Sequence, residues 1–200
     1  MKNQDKKMRK VFGKRNDFAA TRDLLAAGIH PRDIKRMRDE GRIVRLTKGL
    51  YRLGDIPLVS NQGFIDLAHA VPQGVICLLS ALSYYELTTF NPSIISMAIC
   101  RGTWEPTIEY PPVEFYRFSK KQFEAGIDEI KIGNNTVRMY CPEKTICDSF
   151  RYRGKLGLDT AKEGLSEYLK RRDRNLEKLL EYADICRIRP LLKTWLDAMV

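Results

Sequence analysis

The sequence predicts an α+β protein: an N-terminal winged helix-turn-helix, then a mixed domain with a small β-sheet and a helical end. Three observations carry this. Helix, tight turn, basic helix and two-stranded hairpin follow one another over Thr21–Leu53. A second hairpin signal, Gly133-Asn134-Asn135, lies between the runs Asp128–Ile132 and Thr136–Cys141. From Pro142 onward the apolar spacing is helical, which places helices after a sheet. Charge divides the chain at the same point. Residues 1–53 hold 16 Lys or Arg against 6 Asp or Glu, whereas residues 54–200 hold 19 of each. A basic module joined to a neutral body is the electrostatic footprint of a nucleic-acid binder. A solvated basic tail accounts only for residues 2–15.

Met8, Val11 and Phe12 have helical spacing and predict a first helix over Asp5–Lys14. The alternatives are a disordered, phosphate-seeking arm or one that folds on DNA. Asp17 or Thr21 is placed to cap a second helix running to about Ala27, with Phe18, Leu24 and Leu25 on its buried side. Gly28 suits the left-handed position that ends a helix, and Pro31 suits the first turn of the next. On Pro31–Glu40, Ile34 and Met37 share one face, while Arg32, Lys35, Arg36 and Asp39 lie on the other. Gly41 ends this helix. Strands at Arg42–Leu46 and Leu50–Leu53 flank Thr47-Lys48-Gly49, with Gly49 suited to a positive φ.

Residues 54–62 read as a linker, so the expected domains are 1–54 and 62–200. The second opens with a helix over Gln62–Val71, a short buried segment Val75–Leu79, and a helix capped by Ser80. Strands follow at Ile94–Cys100 and Val113–Phe118, then the second hairpin. Helices are expected from Pro142 to about Arg153, from Asp159, around Leu176–Ala183 and from Pro190.

The five cysteines include no CxxC pair, and with only two histidines no zinc pattern forms. Free thiols without a signal-like N-terminus suit a reducing cytoplasm, and no apolar run is long enough for a membrane span. Asp128-Glu129-Ile130-Lys131 contains an acid-x-Lys element of the kind metal-dependent nucleases carry, with Glu105, Glu109 and Glu114 as the available second carboxylates. A solvated strand face explains it more simply. No Gly-rich phosphate loop or nucleophile elbow is present, and neither an enzyme nor a cofactor is expected. Tyr84, Tyr85, Trp104, Tyr110, Phe115 and Tyr116 read as core residues, with a protein interface as the alternative.

For DNA, the outward Arg32, Lys35 and Arg36 are the base-reading candidates, because arginine bridges guanine O6 and N7 with two hydrogen bonds. Lys6, Lys7, Arg9, Lys10, Arg22, Arg45 and Lys48 are read as phosphate contacts, which position without carrying sequence information.

The segment Leu46-Thr47-Lys48-Gly49-Leu50-Tyr51-Arg52, following a short helix-turn-helix, resembles the N-terminal domain of AbiEi-type antitoxins. Pro142-Glu143-Lys144-Thr145-Ile146-Cys147-Asp148 is similar to a Pro-Glu-Lys-Thr-x-x-Asp segment of that family's C-terminal domain, as are Asn175-Leu176 and Tyr182-Ala183 further on. The resemblance spans roughly residues 16–198, leaving the basic arm as a departure from the family pattern. It implies a type IV toxin–antitoxin autorepressor that binds inverted repeats in its own promoter DNA and opposes a nucleotidyltransferase-like toxin without a stable complex. It also implies that Glu143, Lys144 and Asp148 belong to the antitoxin domain's working residues. An orphan winged-helix regulator is the alternative reading, and a metal-dependent nuclease a more distant one.

Overall fold

The computed structural model describes residues 2–57 and 59–199. Met1, Leu58 and Val200, which fall in the expected first domain, linker and second domain, lie outside the described residues. The chain forms two compact units. The first comprises Met1–Gln73 with Glu105–Val113 and Lys131–Thr136, the second Gly74–Trp104, Glu114–Ile130 and Val137–Val200.

The first unit is the winged helix-turn-helix. Helix α1 (Lys2–Phe12) ends in a 3-10 turn at Gly13–Arg15. Met8 and Phe12 lie in the core beside Leu24, Ile34 and Met37, so the basic N-terminal segment is a packed helix here. Strand β1 (Phe18–Ala20) precedes α2 (Thr21–Ala26) and α3 (Pro31–Asp39). The wing is β2 (Ile43–Thr47) and β3 (Leu50–Leu53), and the sheet order is β1-β3-β2. The expected helical role of Phe18 is corrected. It starts a strand whose register places Phe18 opposite Arg52, and its ring stacks on His69 at 3.7 Å. Pairing with β3 satisfies backbone groups that a one-turn-longer helix would have satisfied internally. Leu25 is 44% exposed, so Leu24 alone supplies the buried side of α2. The cap before α2 is Ala20, with neither Asp17 nor Thr21 bonding as a side-chain cap. Gly28, Gly41 and Gly49 all adopt positive φ.

Helix α4 (Gln62–Ala70) packs within this first unit. Its Asp66, fully buried, meets the buried Arg52 Nε at 3.0 Å. Gln62 also donates to that carboxylate at 2.9 Å, and Arg52 donates to the Leu53 carbonyl at 2.8 Å. Burial pushes the Asp66 carboxyl above its usual range, against the opposing pull of Gln62 and Arg52. The outer edge of β2 is covered by residues 107–110. Thr47 pairs with Ile108, Thr47 Oγ1 donates to the Thr107 carbonyl at 2.7 Å, and the Glu109 amide donates to the Leu46 carbonyl at 2.7 Å. An edge closed in this way keeps the wing from fraying or pairing elsewhere.

The second unit holds the greater part of a five-stranded sheet, three strands of which have one end in residues counted with the first, and the helical end. Its elements are β4 (Val75–Ile76), α5 (Leu78–Tyr84), β5 (Ile95–Cys100), β6 (Val113–Phe118), α6 (Lys120–Glu124), β7 (Ile127–Ile132) and β8 (Asn135–Tyr140). Helices α7 (Pro142–Arg151), α8 (Arg153–Leu156), α9 (Leu158–Lys170), α10 (Leu176–Cys186) and α11 (Arg189–Met199) complete it. The strand order is β6-β5-β4-β8-β7, with β4 antiparallel to β5 and parallel to β8. The α+β reading therefore describes the molecule. Ser80 lies inside α5, which starts two residues earlier, and its hydroxyl accepts from the Ser96 amide instead of capping. Helices α6 and α8 are each too short to leave a periodic signal. Leu82, Ile146, Phe150, Leu165, Leu179 and Leu192 form the core of the helical end. Tyr116 is buried as expected, whereas Trp104 is 84% exposed. The five cysteines are free thiols.

Candidate nucleic-acid interface

The sequence of α3 dictates its two faces. Ile34 and Met37 are buried, and Arg32, Lys35, Arg36 and Arg38 are exposed. Pro31 fixes the first turn, and His30, the residue before it, accepts from the Arg32 amide through Nδ1 at 3.5 Å. Gly28 lets the chain turn sharply between α2 and α3. Ile29 is buried at that corner.

The three base-reading candidates differ in their surroundings. Arg32 and Lys35 project from the outward face as exposed cations. Arg36 is held within its own helix, by Asp33 at 2.9 Å and Glu40 at 3.8 Å. A guanidinium held this way is oriented, but reaching a base means exchanging those contacts. Arg38, which was not among the candidates, is also exposed and pairs with Asp39 at 3.0 Å. Its outward angle was available from the helical period.

The phosphate candidates separate in the same manner. Lys6, Lys7 and Lys10 are exposed on α1, Arg22 is exposed on α2, and Lys48 is exposed at the wing tip. Arg22 lies 3.7 Å from Asp23. Arg9 pairs with Asp55 at 2.7 Å, both groups being well exposed, and such a pair is weak in water. Arg45 is the most constrained, since its side chain is 27% exposed and pairs with Glu109 at 3.2 Å. Arg52, the last residue of the wing motif, faces inward to Asp66 and so holds the wing. This partner lies beyond residues 54–62, on α4, so nothing local in the wing marks the role of Arg52.

Residues 6–54 match the family described as transcriptional regulator, AbiEi antitoxin. This segment is similar to that family over about a quarter of the chain. The match begins inside α1, so the basic helix lies within the family segment and is no departure from it. It covers the winged module only, a shorter span than the resemblance over residues 16–198. No curated protein sequence matches the chain. Among solved structures, the crystal structure of the RV2827C protein from Mycobacterium tuberculosis is similar, with a TM-score of 0.59 at 13% identity. That alignment covers 95% of this chain and 79% of the other, so the likeness of fold runs through both units. No helix among the described residues is long and apolar enough to cross a membrane.

The candidates from the second AbiEi-like motif lie in the interior of the second unit. Lys144 and Asp148 are wholly buried and form an ion pair at 2.5 Å, one turn apart on α7. Lys144 Nζ also lies 4.2 Å from the Tyr140 ring centre and 4.9 Å from that of Phe118. Asp148 accepts in addition from the Cys186 thiol at 3.3 Å, and burial raises its carboxyl above the usual range. Glu143, also buried, accepts from the Tyr168 hydroxyl at 2.8 Å. That hydroxyl in turn accepts from the Asn175 amide at 2.6 Å. The motif thus ties α7 to α9 and α10, and Lys144 and Asp148 show no surface to a partner. The nuclease-like element has Asp128 and Glu129 exposed on β7, while Lys131 donates to Thr136 across the hairpin. Among the described residues no group of three or more His, Cys, Asp or Glu gathers as a metal site.

Proposed function

We propose that the chain is the antitoxin of a type IV, AbiE-like toxin–antitoxin system, of the phage-defence kind, and represses its own promoter. Residues 1–54 hold inverted-repeat DNA, and residues 62–200 carry the antitoxic function. The observation that carries the DNA reading is the cationic outward face of α3, inside a segment that matches the AbiEi regulator family. Helix α3 enters the major groove, as the second helix of such a motif does, with Arg32, Lys35 and Arg36 toward base edges. Lys6, Lys7, Lys10, Arg22 and Lys48 meet phosphates from α1, α2 and the wing. Arg9 and Arg45 join them on leaving Asp55 and Glu109. Glu143, Lys144 and Asp148 serve the antitoxin domain by holding α7, α9 and α10 in place, not by touching a partner.

The protein acts in the cytoplasm without catalytic chemistry of its own, and it opposes a nucleotidyltransferase-like toxin without a lasting complex. A mobility-shift assay on the DNA upstream of its own reading frame tests the repressor role. Retardation that survives excess unrelated duplex is expected. No shift at low salt would sink the reading. Co-expression with the neighbouring reading frame tests the antitoxin role. Growth arrest by that neighbour, relieved by this chain, is the expected result.

A further inference from the structure

One cavity of the second unit has cations as four of its seven lining residues. It has a volume of about 330 Å³, and its walls include Arg101, Lys121, Arg151 and Arg187 together with Ser119 and Gln122. Neither a carboxylate nor an aromatic ring lines it. The four cations come from four places in the fold. Arg101 follows β5, Lys121 is in α6, Arg151 ends α7, and Arg187 follows α10. Residues 54–200 carry no net charge, so this is a local concentration on a neutral body.

The ordinary explanation covers three of the four cations. Cations at helix C-termini meet the negative end of the helix dipole, which accounts for Arg151 and Arg187. Lys121, in the last turn of the short α6, has the same explanation, and Arg101 does not. Nor does acid nearby neutralise the group. Asp184, one turn before Arg187, is taken by Arg189, and no ion pair among the described residues joins any of the four to a carboxylate. Elsewhere in this unit Lys162 pairs with Asp159 and Lys170 with Glu167.

The walls are also held in place. Arg151 Nη1 donates to the Cys186 carbonyl at 3.0 Å, leaving the other donors of its planar fork uncommitted there. Gln122 is buried, accepts from Ser119 Oγ at 2.9 Å and donates to the Ile185 carbonyl at 3.4 Å. Arg187 sits in the left-handed region at φ +58°, where helices commonly place glycine. Convergent cations without an ion-pair partner among the described residues repel one another at a cost that a bound anion lowers.

We propose that this cavity binds a diphosphate group, either free as pyrophosphate or as the tail of a nucleotide. Four positive charges suit a multiply charged oxyanion, and the planar arginine forks match phosphate oxygens in pairs. The lack of an aromatic wall places recognition on the phosphates and not on a base. The site is separate from the proposed DNA-reading face, and its test does not depend on that reading.

Titration calorimetry of the full chain with pyrophosphate, and in parallel with ADP, tests it. Saturable binding of pyrophosphate is expected, weakened at least tenfold in Lys121→Gln/Arg187→Gln. Neither of these side chains is bonded to another described residue, so the variant keeps its fold, which circular dichroism checks. Arg172→Gln/Lys193→Gln, on exposed basic positions outside the cavity, leaves the affinity unchanged. Equal binding of ADP and pyrophosphate assigns the site to the free diphosphate, and tighter binding of ADP assigns it to nucleotides. No saturation in the millimolar range overturns the proposal. So does binding that the cavity variant leaves intact, or retention of duplex DNA at the cavity with no uptake of pyrophosphate.

Discussion

Replacing Lys144 by Met separates the two things its motif can do. The substitution keeps the length of the side chain and removes its charge. Lys144 and Asp148 are both fully buried and meet at 2.5 Å. Without Lys144, Asp148 keeps only the Cys186 thiol as a donor, a weak one at 3.3 Å. Breaking a buried pair from one side costs about 3–5 kcal/mol, because the remaining charge is left uncompensated. The contact of the ammonium with the Tyr140 and Phe118 rings is lost as well and lies within that figure. The carboxyl escapes part of the penalty by taking up a proton, so the loss is smaller at mildly acidic pH than at alkaline pH. Both tryptophans, Trp104 and Trp195, belong to the second unit, so their fluorescence during urea unfolding reads this unit. With a slope of about 2–3 kcal/mol per molar, the midpoint falls by roughly 1–2.5 M. Lys144→Met/Asp148→Leu removes both charges and recovers most or all of the loss, since replacing a buried pair by apolar groups is often neutral or stabilising. A Lys144→Met loss below about 1 kcal/mol would refute the structural assignment. So would a double variant less stable than the single one.

Three further outcomes are expected. Arg36→Ala weakens binding to a cognate operator by about 1–3 kcal/mol, toward the low end because Asp33 and Glu40 already hold the guanidinium. Lys48→Ala weakens all duplexes alike and lowers the salt slope by about 0.9, and a sequence-selective loss in fluorescence anisotropy would contradict its phosphate role. Phe12→Ala costs about 3–5 kcal/mol in the first unit, because the ring is fully buried beside Met8 and Leu24. Unchanged hydrogen exchange in α2 and α3 would mean that α1 is a detachable arm. For Asp66, a carboxyl raised by burial binds its proton more tightly folded than unfolded. Its contribution to stability is therefore full below the ordinary carboxylate range and is lost as pH rises through the raised value. Asp66→Asn destabilises by leaving Arg52 unpaired, but by less as pH rises through that window. Exchange protection of the Tyr51–Leu53 amides measures this, and a deficit that grows with pH would reverse the sign.

Much of the winged module was legible because its signals are local. Gly28, Pro31, Gly41 and Gly49 mark turns by their own backbone preferences, and Ile34 and Met37 mark the buried face of α3 by the helical period. The segment 18–20 was misread because Phe18 and Ala19 carry no strand signal of their own. Their state is set by β3, some thirty residues away, through the register of Phe18 with Arg52. The same distance hid the partners of charged residues. Lys144 and Asp148 are one turn apart, a spacing at which two side chains of a helix can meet. Their complete burial depends on Phe118, Tyr140 and Cys186, which come from β6, β8 and α10.

The sequence by itself determined the order of elements in the winged module, the concentration of positive charge in residues 1–53, and the outward placement of Arg32, Lys35 and Arg36. Periodicity, turn residues and composition act over a few positions, so they can be read along the chain. Only the tertiary structure decided that Arg52 turns inward to Asp66, that Lys144 and Asp148 are interior, and that Arg101, Lys121, Arg151 and Arg187 line one cavity. A charge is the same residue type whether it meets water, a buried carboxylate or other cations. Its surroundings depend on segments distant in sequence, and those become neighbours only when the core closes.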